Sequence, residues 1–158
     1  MIRLFLSALL TVAPILTKAD VTASAIQWPE PVKALVQDAQ AECGAIMGGN
    51  LEISADAVDP VPMGDTLLWV VDTFHMRCST LPSLFCGTGG CSLHLVAGDH
   101  QSQHLSKGWQ FVEMGPLSVI LLQIHGSECG GTNLIPCVEA LAWDDTTGTF
   151  TTLRPPLD

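Results

Sequence analysis

Six cysteines, Cys43, Cys78, Cys86, Cys91, Cys129 and Cys137, constrain this chain more than any other feature. An even set of cysteines becomes a covalent framework only in an oxidising compartment, so the first question is where the chain goes. Its N-terminus answers. Arg3 supplies a positive start, an apolar-rich run extends from Leu4 to Leu16, and small residues follow at Thr17-Lys18-Ala19 and Ala23-Ser24-Ala25. These are the three regions of a secretory signal. The run is shorter than the roughly 20 residues a bilayer span needs, and Pro14 interrupts it. Two cleavage points fit. Ala25 completes the better small-x-small match, and Ala19 lies at the more usual distance from the apolar run. Residues 1–25 are therefore read as a signal peptide. Residues 26–158 are read as a single disulfide-stabilised globular domain, periplasmic or secreted, without stable membrane insertion after cleavage.

Six cysteines allow 15 pairings. Local spacing narrows them. Cys86 and Cys91 bracket Gly87-Thr88-Gly89-Gly90, a tight turn that would set them opposite each other in a hairpin, close enough for a bond. Cys129 and Cys137 flank a loop that starts with Gly130-Gly131 and ends with Pro136. Cys43 and Cys78 remain, and would tie the end of a helix to the end of a strand. That loop is the longest, worth about 4 kcal/mol in the chain-entropy picture, against about 2 and 2.6 kcal/mol for the short ones. Zinc sites favour matched C-x(2–4)-C pairs, and thioredoxin-like chemistry needs C-x-x-C; neither pattern is present. The cysteines are thus assigned to structure.

The rest of the chain shows two periods. Pro29-Glu30-Pro31 suits a first helical turn, and Val32, Leu35, Val36 and Ala39 recur at helical spacing, with a stop near Glu42 and Gly44. Beyond Gly48-Gly49 the period changes to two. Strands are predicted over Leu51–Ala55, Thr66–Val71, Leu84–Cys86 with Cys91–Val96, Trp109–Glu113, Leu117–His125, Val138–Trp143 and Thr149–Thr152. Thr66–Val71 is apolar enough to be buried on both faces. Asp59–Gly64 and Gly98–Gly108 read as loops, and Pro155-Pro156 ends the pairing. Short strands with short connections imply an α+β, mostly β fold. The expected architecture is an antiparallel curled sheet or partial barrel with one N-terminal amphipathic helix, braced by three disulfides.

The formal charge of −10 excludes a nucleic-acid footprint, and 47% hydrophobic against 14% charged residues excludes disorder. Loss of residues 1–25 removes two cations and one anion, so the mature chain is slightly more acidic still. Such a surface attracts a basic partner or a cation.

Five histidines carry the candidate chemistry. His100 and His104 have the i, i+4 spacing of two ligands on one helix face, and Asp99 adds a third donor. His94, His125 and Glu128 lie near strand ends beside cysteines and could meet as a surface site. Ser127 sits in His125-Gly126-Ser127-Glu128-Cys129, which departs from G-x-S-x-G because His125 stands where glycine belongs and no helix follows. Glu52, Glu113, Glu128 and Glu139 are too scattered to form an acid–base pair. Trp28, Trp69, Trp109 and Trp143 fall one to an element, as core anchors do. There is no phosphate loop and no dinucleotide fingerprint, so no cofactor is expected.

Leu84 to Cys91 (LFCGTGGC), His125 to Cys129 and Trp143-Asp144 resemble segments of small secreted Cys-rich proteins of proteobacteria, over roughly residues 40–150. That group has no established activity. Its members carry an acidic D-x-[ND]-G-D-G run between the first two cysteines. The matching stretch here keeps only Asp59 and Asp65 around stiffening prolines, so the resemblance does not carry calcium binding over.

The expectation is an exported, non-enzymatic binding or inhibitor-like domain that engages a basic envelope protein, for example a lysozyme-like enzyme or toxin. The alternatives are a periplasmic metal-binding protein using Asp99, His100 and His104, or a thiol-dependent enzyme.

Overall fold

The computed structural model describes residues 27–153 apart from 116, 136 and 145. The signal segment and the Pro155-Pro156 tail lie outside the described residues.

Among the described residues there is one α-helix, α1 (Glu30–Ala45), which starts behind Pro29 with Glu30 at its positive end. It buries Val32, Val36, Ala39 and Cys43 along one stripe. It runs past Gly44, and the Ile46 N–H closes it by donating to Cys43 O at 3.1 Å. Among the described residues eleven strands follow, all paired antiparallel. A small sheet joins β1 (Leu51–Ile53) to β4 (Met76–Cys78).

The first large sheet runs β2 (Val58–Met63), β3 (Thr66–Asp72), β6 (Gly90–Ala97) and β7 (His100–Ser106). The short β5 (Cys86–Gly87) continues the β3 side of β6. The second large sheet runs β8 (Gly108–Met114), β9 (Leu117–Ile124), β10 (Cys137–Asp144) and β11 (Thr149–Leu153). β7 and β8 follow each other across Lys107, whose N–H donates to Gln123 O at 2.7 Å, so the chain turns a corner from one sheet into the other. The sheets curl and face each other without closing into a barrel.

Three layers result. Between the sheets lie Val61, Met63, Leu68, Val70, Leu93 and Leu95 from the first, against Ile120, Leu122, Ile124 and Leu141 from the second. On the outer face of the first sheet, Val58, Trp69, Val71 and Val96 meet Val32, Val36 and Ala39 of α1. β3 serves both cores, with Leu68 and Val70 inward and Trp69 and Val71 toward the helix. That is the two-faced burial its apolar run predicts.

Two expected loops are strands. Asp59–Gly64 falls largely in β2, because an edge strand tolerates proline where the missing N–H would face solvent. Met63 and Thr66 close a two-residue hairpin, which turns the backbone nitrogens of Pro60 and Pro62 away from β3. Gly98–Gly108 likewise holds β7. Its residues are polar on both faces and alternate only in exposure, with Ser102 and His104 half-buried and Ser106 buried.

All three expected disulfides form, with Cα separations of 5.5 Å for Cys43–Cys78, 4.0 Å for Cys86–Cys91 and 6.0 Å for Cys129–Cys137. Cys43–Cys78 fixes the end of α1 to β4, and Cys86–Cys91 crosses the β5–β6 pair. Three such bonds suit an oxidising compartment. Among the described residues, no helix is long and apolar enough to cross a membrane.

Candidate binding site

A strand sends alternate side chains to opposite faces, and β10 sends three inward in turn: Cys137, Glu139 and Leu141. Their partners on β9 are Ile124, Leu122 and Ile120, all in the inter-sheet core. Glu139 thus holds a core position while carrying a charge, and only 5% of it is exposed. On the facing sheet, His104 pairs with the buried Leu93, so its ring also points between the sheets.

Glu139 and His104 line a cavity of about 260 Å³ at the mouth of the inter-sheet space. His125 and Glu128 complete its polar wall, and Gly89, Leu105 and Ile124 its remainder. Burial pushes the His104 imidazole below its ordinary value, and the Glu139 carboxylate pulls it partly back. His104 Nε2 also meets Ser102 Oγ at 3.1 Å.

The loop that brings His125 and Glu128 here is held by the 3₁₀ turn Gly126–Cys129, the Cys129–Cys137 bond and a lysine. Lys107 Nζ donates to Asn133 O at 2.8 Å and to the Asn133 side-chain oxygen. Gly126 is required by a close approach, since a Cβ there would lie 1.7 Å from Thr132 O. His125 Nδ1 accepts from the Ser127 N–H at 3.2 Å and meets Ser127 Oγ at 2.7 Å. This is an N-cap. The amides of Glu128, Gly130 and Gly131 are spent on carbonyls within the same turn, which leaves none of them to stabilise an oxyanion at Ser127.

The sequence expectation of His94, His125 and Glu128 as one surface site is corrected on one member. His125 and Glu128 do share a wall, but His94 lies on the other side of the sheet. Leu93 and Leu95 point into the inter-sheet core, so His94 between them must face α1. There it lines a second groove of about 320 Å³ with Asp38 and Glu42 of the helix and Gln101 and Gln103 of β7. Its Nδ1 is buried without a hydrogen-bond partner, and burial, then His104, lowers its pKa.

The trio Asp99, His100 and His104 is also not gathered. On a strand, i, i+4 residues lie about 13 Å apart, not one helical turn. His100 packs instead edge-to-face on Trp143, with ring centroids 6.1 Å apart, and Asp99 sits in the β6–β7 turn. Asp59 and Asp65 stand near opposite ends of β2, with Asp65 in the turn after it. Among the described residues, no group of three His, Cys, Asp or Glu side chains is arranged to hold a metal ion.

Sequence reasoning passed over Glu139 as one scattered carboxylate. The signal was its phase, because it shares the alternation of Cys137, Leu141 and Trp143. No family model, no curated protein and no solved structure matches this chain.

Proposed function

We propose that this protein is an exported, periplasmic binding domain of inhibitor-like character that works without covalent chemistry and engages a basic envelope protein. The observation that carries the reading is Glu139, a carboxylate held on a core face yet opening onto a cavity beside Glu128. A lysine or arginine side chain of a partner, entering the cavity, meets two carboxylates, Glu128 and Glu139, in charge-assisted hydrogen bonds. The acidic surface, −10 over the full chain, speeds encounter with a cationic protein. The three disulfides fit an exported life, and Cys86–Cys91 and Cys129–Cys137 brace the segments that carry Gly89, His125 and Glu128.

Calorimetric titration of the mature protein with a purified lysozyme-like basic protein, at low and raised ionic strength, tests this. Expected are saturable binding that weakens as salt rises and an affinity about tenfold lower for Glu139→Gln, equivalent to about 1.4 kcal/mol. Failure to bind any cationic protein or peptide at low salt would sink the reading.

A further inference from the structure

The two edges of the first large sheet are built differently. The β2 edge presents Pro60 and Pro62, which have no N–H to offer a newcomer. The β7 edge, His100-Gln101-Ser102-Gln103-His104-Leu105-Ser106, has no proline, no charged Lys, Arg, Asp or Glu, and an unbroken register from Ala97↔His100 to Cys91↔Ser106. Among the described residues β7 pairs with β6 alone.

The free main-chain groups can be assigned. Gly98 (φ 57°) and Asp99 form a two-residue hairpin turn, so Ala97 and His100 are its hydrogen-bonded closing pair. Every second residue from His100 then bonds to β6, and the N–H and C=O of Gln101, Gln103 and Leu105 point the other way. Their side chains are exposed, Leu105 by 58%.

Alongside this edge lie two cavities that meet at His104. One is the site just described, with Glu128 and Glu139. The other, about 230 Å³, runs toward His100 between Ser102 on one side and Leu141 and Phe150 on the other.

We propose that the β7 edge captures an extended segment of the partner protein as an added strand. The inward side chains of that segment would be a lysine or arginine in the Glu128–Glu139 cavity and an apolar residue, two positions away, in the Leu141–Phe150 cavity. Successive inward side chains of a strand repeat every 6.6–6.8 Å or so, which steps from one cavity to the next along β7. Main-chain bonds to Gln101, Gln103 and Leu105 give affinity, and the two cavities give specificity, as in other strand-addition complexes. The inference rests on the basic-partner reading and adds its geometry.

The probe is the synthetic peptide acetyl-Thr-Arg-Thr-Val-Thr-amide, with a backbone N-methylated copy as control. On saturation, amide hydrogen exchange at Gln101, Gln103 and Leu105 should slow at least tenfold. Gln103→Pro removes an outward N–H and the exposed Gln103 Nε2 bond to Ser92 Oγ at 3.2 Å but no β6 ladder bond, so it should keep the fold, checked by near-ultraviolet circular dichroism, and weaken the peptide at least tenfold. The N-methylated peptide should bind the unaltered protein equally poorly, a comparison that holds even if the proline variant does not fold. Peptide binding that ignores both Gln103→Pro and N-methylation but falls with Glu139→Gln overturns strand addition and leaves the basic-partner reading standing. No binding of the peptide or of any basic protein overturns both. A dimer of the free protein that Gln103→Pro dissolves would assign the edge to a second copy and overturn capture of a partner segment.

Discussion

A carboxylate on the core face of a strand gives up hydration that a leucine in its place would never need. Glu139 carries that burden at 5% exposure, between Cys137 and Leu141. Glu139→Leu trades that cost against the carboxylate's attraction to His104, so stability in denaturant titration should shift by no more than about 1–3 kcal/mol while the cationic probe is lost. A large fall in stability would mean that the carboxylate serves the fold instead. His94 and His104 act through pH. Both have pKa values held below the ordinary one, so the unfolded chain takes up protons first as pH falls. Stability should be fully present above the unfolded value of about 6.5 and decline below it, levelling once the folded rings titrate. Melting temperatures from pH 7.5 to 5 check this, and His94→Gln with His104→Gln should flatten the slope. The histidines were visible in the sequence, but their grouping was not, because it depends on which strand face each one occupies.

Elements with strong apolar periods were legible. The stripe Val32, Val36, Ala39 gave α1, and the run at Thr66–Val71 gave a doubly buried β3. Those without such a period were not. β7 is polar on both faces because one face borders a groove and the other a cavity, so no alternation marks it as a strand. β2 hides behind prolines that only an edge position permits. This miss also removed the metal reading, since the spacing of His100 and His104 has meaning on a helix and none on a strand. At the junction of β6 with the β7–β8 corner the backbones approach closely. Gly90 has φ 116°, and a Cβ on it would lie 2.2 Å from Ser106 O. Gly90→Ala should destabilise the domain by about 2 kcal/mol or more through combined backbone strain and clash, read as a shift in denaturant midpoint.

Across the whole molecule, α1 packs on one face of a sheet whose other face packs on a second sheet, and the disulfides lie at the margins of these layers. Cys43–Cys78 closes the longest loop, with a sequence separation of 35. Replacing both cysteines by serine should cost about 4 kcal/mol and lower the melting temperature by roughly 10 °C or more, with the other two bonds intact by mass spectrometry. The pairing was readable because two of the three loops are too short for their cysteines to find other partners easily. The three-layer order was not, since sequence periods give faces but not which faces meet. The proline-lined margin of β2 has a consequence for crowded conditions. Fibre growth needs a template at both ends of each unit, and the first sheet offers one receptive border and one barren one. A strand added at β7 could therefore not be continued through the opposite border of the same sheet, which blocks endless stacking along that sheet.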